Sequence, residues 1–313
     1  MVEKSTSVYH NLNLKVWLDG KITKYSNAKV PILTHSLQYG SGIFEGIRAY
    51  EAENGTAIFR LSDHIARFMR SMKIYSIQPK YTQKELEKAV VQVVKANGLK
   101  SCYIRPFVFY NSDKIGLATY GKETSIFIAA VPFEDYYGVG TAKGIRCKVS
   151  SWRRINSSIL PVEAKASGNY INSIIANNEA KASGFDETIL LSYNGYVAEG
   201  AADNIFIVKG GRIITPNASA DILIGVTRDT SIKISESIGI VVEERETHKE
   251  ELYSADEVFL CGTAAEITPV VNIDGINIGN GKPGPITKLI ADSYKRIVTG
   301  KNEEFVDWLT YVK

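Results

Sequence analysis

Sulfur and histidine are scarce in this chain, and both shortages narrow its chemistry. Its three cysteines, Cys102, Cys147 and Cys261, are odd in number, widely spaced and flanked by strand-like apolar residues. Buried thiols are expected there, not disulfides or a metal site. Four histidines, none at ligand spacing, argue against a zinc enzyme. Charge of one sign is also lacking: the net charge is +3 and no Lys/Arg block stands out, so no nucleic-acid partner is expected. No apolar run approaches membrane-spanning length, and Met-Val-Glu-Lys-Ser-Thr-Ser at the start has no apolar signal core. A cytoplasmic protein with no membrane partner is the expectation. Phosphate loop, dinucleotide fingerprint and internal repeats are all missing.

What is there is ordinarily globular: 313 residues, 44% hydrophobic and 23% charged. That length favours two domains. Pro132 to Gly140, with Tyr136, Tyr137, Gly138 and Gly140, reads as a linker. The expected division is a small α/β domain over 1–131, a linker over 132–142 and a larger domain over 143–313.

Local signals place the elements. Residues 13–34 alternate about Asp19-Gly20 as a hairpin, and Asn194-Gly195, Gly210-Gly211 and Asp274-Gly275 mark three more. Ser62 is an N-cap candidate for a helix through Ile65, Phe68, Met69 and Met72, with Arg67 pointing off that stripe toward solvent. Thr82-Gln-Lys-Glu85 is a capping box opening a helix that Gly98 ends. Thr247 caps a short helix, and the chain from Ile286 reads as helical with Trp308 near its tail. Residues 101–109 and 125–131 read as buried strands. Tyr103 and Arg105, two apart, share one side of the first. An arginine in so apolar a strand needs an anion, either an internal carboxylate or a bound one.

Four features carry chemistry. Lys165 lies among small residues in Pro161-Val-Glu-Ala-Lys-Ala-Ser-Gly-Asn-Tyr170, where a loop enters a helix over 170–181. Read alone it is a solvated loop lysine, yet an amine so placed can also reach an aldehyde and form a Schiff base. The return strand of the Asn194-Gly195 hairpin delivers Glu199 into a run of small residues ending at Asn204. Gly225, Val226 and Thr227 offer free amides and a hydroxyl at a helix start, a ready anion site. The isolated arginine of the 101–109 strand, Arg105, is the fourth; three glycines within 40–46, usually only a turn, sit beside Tyr39, Phe44 and Arg48 and can line a pocket. Together these fit pyridoxal phosphate: a lysine for the aldehyde, an acid for the pyridine nitrogen and donors for the phosphate.

At this point the chain closely resembles a family, the branched-chain amino-acid aminotransferases among the class IV, fold-type-IV pyridoxal-phosphate enzymes. The likeness spans nearly the whole chain. It rests on Tyr39-Gly…Phe44-Glu-Gly-Ile-Arg48, Tyr103-Ile-Arg-Pro106, Ala164-Lys-Ala-Ser-Gly-Asn-Tyr170, Glu199-Gly…Asn204, Gly225-Val-Thr-Arg228 and Gly262-Thr-Ala-Ala-Glu-Ile-Thr-Pro269. The resemblance implies a two-domain α/β (α+β) fold like that of D-amino-acid aminotransferase, with the cofactor cleft between the domains. It also implies reversible amino-group transfer from leucine, isoleucine or valine to 2-oxoglutarate by ping-pong chemistry. In that reading Lys165 holds the cofactor and moves the proton. Tyr170 meets the cofactor phenolate and Glu199 the pyridinium. Arg67, Val226, Thr227 and Thr263 hold the phosphate. Tyr103 with the amides of Thr263 and Ala264 binds the α-carboxylate. Arg105, aided by Tyr39 and Tyr136, receives the distal carboxylate of glutamate, and Phe44 lines the apolar part. A homodimer or dimer-based hexamer is implied, with 109–120 of a neighbour completing the pocket. Two positions depart from the family pattern: Ser167, where relatives often have glycine, and Ile224, where they often have proline.

Rivals within the family are a D-amino-acid aminotransferase, an aminodeoxychorismate lyase and an R-selective amine transaminase. Tyr103-Ile-Arg-Pro106 favours the branched-chain group. A rival of another class is a non-catalytic carrier of the vitamin phosphate, which would have no need of an acid at the ring nitrogen.

Overall fold

A computed structural model describes residues 13–133 and 143–313, so part of the expected linker, 134–142 with Tyr136, lies outside the described residues. The chain divides into two compact units, 1–134 with 307–313, and 135–306.

In the first unit β1 (Lys15–Leu18) and β2 (Lys21–Lys24) form the hairpin about Asp19-Gly20. Both turn residues have positive φ, as a tight turn of this hand requires. The hairpin is shorter than the 13–34 expected. Then come α1 (His35–Tyr39), β3 (Gly42–Phe44), β4 (Ile47–Ala52), β5 (Gly55–Phe59), α2 (Leu61–Ile74), α3 (Gln83–Asn97), β6 (Cys102–Tyr110) and β7 (Thr124–Pro132). Thr82 Oγ1 accepts from the Glu85 amide while the Glu85 carboxylate accepts from the Thr82 amide, the capping box foreseen for α3. Ser62 is not the cap of α2. Arg60 holds that position at φ 50°, its amide donating to Trp308 O at 2.7 Å.

The second unit holds β8 (Ile145–Arg153), α4 (Tyr170–Ala182), β9 (Glu187–Leu191), β10 (Val197–Gly200), β11 (Asn204–Lys209), β12 (Arg212–Thr215), α5 (Val226–Ser237), β13 (Val242–Glu244), α6 (Lys249–Tyr253), β14 (Glu257–Gly262), β15 (Glu266–Ile273), β16 (Ile276–Asn277) and α7 (Pro285–Val298). His248, not Thr247, precedes α6, its amide donating to Glu251. The expected helical tail ends at Val298. Residues 309–311 instead form β17 (Leu309–Tyr311), which pairs with β5 in the first unit's sheet.

That first sheet runs β17-β5-β4-β6-β7-β1-β2, with β3 also on β6, and every pairing is antiparallel. Ile65, Phe68 and Met72 of α2 and Leu86, Val90 and Val93 of α3 are buried, giving each helix one apolar face. The second sheet runs β10-β9-β8-β15-β14-β11-β12-β13, and β10 also pairs with β11, so six of its strands close on themselves. Its core includes Ile189, Leu191, Val197, Ile205, Ile207, Val258 and Leu260. The closing pair is Glu199 opposite Asn204. The seam of the barrel therefore carries the acid singled out from sequence.

Candidate active site

Lys165 lies in a loop that Asn169 folds on itself. The buried Asn169 side chain donates to Pro161 O at 3.2 Å and to Ala164 O at 3.3 Å, and a single 3-10 turn over Ser167–Asn169 then leads into α4. Lys165 is half-buried, and its Nζ donates to Tyr170 Oη at 2.7 Å. Where the sequence left a solvated lysine and a reactive amine both open, the fold gives this amine a phenol.

Glu199 is buried, and both its oxygens are engaged. Oε2 accepts from Asn204 Nδ2 and from the Leu223 amide, each at 3.1 Å, while Oε1 lies 2.8 Å from Arg154 Nε. Burial pushes the Glu199 carboxyl up from its ordinary value; Arg154, the Leu223 amide, Lys165 and Arg228 oppose it. Arg154, at the end of β8, was not singled out in the sequence. Only its run of neighbours, Trp152-Arg-Arg-Ile155, hinted at a cation there.

Asn204 also joins the acid to the start of α5. It donates to Leu223 O at 2.9 Å, and a Cβ at Gly225 would collide with its Oδ1. Glycine is therefore required where the chain turns into α5. Val226 and Thr227 open that helix, whose first amides lack intrahelical acceptors. Hydroxyls of Thr230, Ser231 and Ser235 donate to carbonyls four residues back, so these three buried hydroxyls of α5 are satisfied within the helix. Thr263 and Ala264 sit half-exposed in the turn between β14 and β15, and Glu266, the first residue of β15, holds φ 55°. A Cβ at Gly262 would collide with Asp203 Oδ1. These glycines leave backbone amides open to close approach. The donor set (amine, phenol, buried carboxylate and helix-start amides) fits a phosphorylated pyridine aldehyde.

The first unit carries a second cluster. Arg67 is buried, not solvent-facing. Its Nε and Nη2 donate to Glu45 at 2.7 and 2.9 Å, and His64 Nδ1 lies 2.9 Å from the same carboxylate. A helix stripe drawn from apolar residues misses this, because the partner comes from the turn between β3 and β4. Burial would raise the Glu45 carboxyl, but Arg67 and His64 hold it well below the ordinary carboxylate range.

On β6, Arg105 Nη2 donates to Tyr103 Oη at 3.2 Å, and its guanidinium lies 4.7 Å from the Phe44 ring centre and 5.2 Å from that of Tyr103. Its Nε is buried without a hydrogen-bond partner. Phe44, Phe107 and Phe127, register partners across β3, β6 and β7, stack in a ladder that holds the Phe44 ring in place. A Cβ at Gly46 would collide with Tyr103 Oη. Tyr39 leans on His35, and its hydroxyl lies 3.4 Å from the Gly116 amide.

Among the described residues there is no cluster of His, Cys, Asp and Glu able to hold a metal, and no helix long and apolar enough to cross a membrane. All three cysteines are free and buried, as expected.

A family model described as amino-transferase class IV matches residues 42–273. The chain belongs to the class IV aminotransferases and has their two-sheet α/β fold. Its likeness to branched-chain aminotransferases runs over nearly the full length. It is 41% identical to the branched-chain-amino-acid aminotransferase of Escherichia coli strain K12 over 299 residues, covering 95% of this chain and 97% of that protein. The crystal structure of the branched-chain aminotransferase of Thermoproteus uzoniensis with norvaline is 48% identical, with a TM-score of 0.92 over 96% of this chain and 99% of that one. The crystal structure of the branched-chain amino acid aminotransferase of Thermobaculum terrenum in its PLP form, the holo form, is 35% identical, also with a TM-score of 0.92, over 96% and 99%.

Proposed function

We propose that this protein is a pyridoxal-phosphate-dependent branched-chain aminotransferase, exchanging amino groups between leucine, isoleucine or valine and 2-oxoglutarate. The observation that carries the reading is the Lys165–Tyr170 pair, 2.7 Å apart, in the same unit as the buried, ion-paired Glu199. When bound, the cofactor supplies an aldehyde for the amine and an electron-withdrawing ring. The chain's own residues do the rest. Lys165 would hold the cofactor through its aldehyde and would carry the proton to and from the substrate α carbon. Tyr170 would donate to its phenolate oxygen, and Glu199 would pair with its ring nitrogen. Val226, Thr227 and Thr263, with Arg67 from the first unit, are assigned to the phosphate, whose double charge suits helix-start amides and a guanidinium.

Tyr103, Thr263 and Ala264 are assigned to the α-carboxylate, and Arg105, with Tyr39 and Tyr136, to the distal carboxylate of glutamate. Phe44 lines the apolar part and has a second use. When leucine occupies the pocket the guanidinium of Arg105 rests on the Phe44 and Tyr103 rings, which offer it π faces in place of a carboxylate. We assign the domain boundary to 132–142. A cytoplasmic setting accords with three reduced thiols.

A homodimer, or a hexamer built from dimers, is the assembly proposed. Ile115, Leu117 and Tyr120 are strongly exposed on 109–120, as are Ile32 and Leu37 on the segment beside it. That apolar surface suits a second copy of the chain.

The test is 2-oxoglutarate-dependent loss of L-leucine, D-alanine and aminodeoxychorismate measured in parallel. Loss of L-leucine alone is expected, and Lys165→Ala should slow it by at least ~100-fold. Turnover of D-alanine in preference to L-leucine would overturn the substrate assignment; near-normal rates for Lys165→Ala would overturn the site.

A further inference from the structure

Glu199, the acid assigned to the pyridine nitrogen, is touched directly by a cation of the chain itself. Arg154 and Glu199 are both almost wholly buried, with Nε 2.8 Å from Oε1. The same Arg154 Nε–H is shared with Asp221 O at 3.2 Å, and the backbone amide of Arg154 donates to Leu191 O at 2.8 Å, so both the guanidinium and the backbone that carries it are anchored. We propose that Arg154 is a positioning residue for amino transfer: it keeps Glu199 a carboxylate, so that the shared proton stays on the cofactor's ring nitrogen. This rests on the reading of Glu199 given under Proposed function and deepens it.

The physical case is a competition for one proton. A buried carboxyl prefers to be neutral, and here burial is the largest influence on Glu199. If Glu199 took the proton, the ring would be a neutral pyridine and a poorer electron sink. Three cations influence the acid: Arg154, Lys165 and Arg228. Lys165 is the amine that reacts, so its charge varies through the reaction. Arg228 is already engaged, with Nη2 2.6 Å from Glu244 Oε2 and 2.9 Å from Pro216 O. Arg154 alone combines direct contact with a charge that never titrates. Asn204 and the Leu223 amide occupy Oε2. A carboxylate oxygen has two acceptor directions, so Oε1 retains one for the ring N–H after meeting Arg154.

The experiment loads the enzyme with pyridoxal phosphate carrying ¹⁵N in the ring and follows that nucleus by NMR as pH is raised. Wild type should give the pyridinium signal at neutral pH. Arg154→Gln should give the neutral-pyridine signal there, with the cofactor still bound. Arg154→Lys should retain the pyridinium but lose its proton at lower pH than wild type. A merely structural arginine would leave the nitrogen signal in place, so pyridinium retained in Arg154→Gln overturns the proposal. Should Arg154→Gln fail to fold, an Arg154→Lys titration indistinguishable from wild type overturns it equally. Glu199→Gln separates the two layers. Pyridinium surviving in Glu199→Gln refutes the assignment of the acid itself. Loss there with retention in Arg154→Gln refutes only the role of Arg154.

Discussion

Arg105 and Glu45 present the same difficulty at the residue scale, a charge taken out of water, and meet it differently. Arg105 has a phenol and two aromatic faces in place of an acid. A carboxylate arriving there gains a charge-assisted pair of about 1.5–3 kcal/mol, or roughly 10–100-fold in kcat/KM. Arg105→Ala should therefore lower kcat/KM for glutamate by about that factor and for leucine by much less. Equal losses in steady-state kinetics would refute the division of labour. Glu45 instead meets the Arg67 guanidinium and the His64 imidazole at hydrogen-bond distance. Its folded carboxyl is depressed below the reference 4.5, so its contribution is complete above that pH and is lost as pH falls toward the folded value. Glu45→Gln should cost about 3–5 kcal/mol at neutral pH by removing the carboxylate that pairs with Arg67. In urea unfolding the gap between wild type and variant should close on acidification; a constant gap would exclude the linkage.

Elements whose ends are set by neighbours in sequence behave as their residues suggest. The Asp19-Gly20 and Gly210-Gly211 turns have positive φ throughout, and the Thr82–Glu85 capping box is formed. Thr82→Ala should cost about 1 kcal/mol in unfolding free energy, read from chemical denaturation; no change would mean that α3 is held by packing alone. These were legible because the interacting groups lie within a few residues of each other. Ends set from afar were not. Arg60 begins α2 because Trp308 accepts its amide and stacks 4.6 Å from its guanidinium. Glu257 receives the Ile286 and Thr287 amides at the start of α7. No window around Ser62 or Pro285 contains those partners. The candidate site divides the same way. Lys165, Tyr170 and Glu199 stand out from their runs of small residues, whereas Arg154 and Glu45 look like any surface charge until the chain is folded.

For the molecule as a whole, the last strand matters more than its length suggests. β17 adds Leu309, Thr310 and Tyr311 to the edge of β5, and the amide of Val312 extends the ladder to Thr56. Removing 308–313 should cost the first unit about 2–4 kcal/mol, from one buried leucine and one cation–π contact. It should also loosen the turn of α2 that carries His64 and Arg67. Thermal unfolding of the truncated and full chains compares them directly, and identical midpoints would sink the idea. The sequence by itself determined the hairpins, the capped helix, the apolar faces and the small-residue settings of the lysine and the acid, because each depends on residues close along the chain. Only the tertiary structure decided which buried charges meet: Arg67 with Glu45, Arg154 with Glu199, and Arg105 with aromatic faces in place of an acid. Neutralising a charge away from water depends on what the folded backbone brings within about 3–4 Å, and spacing along the chain does not encode that distance.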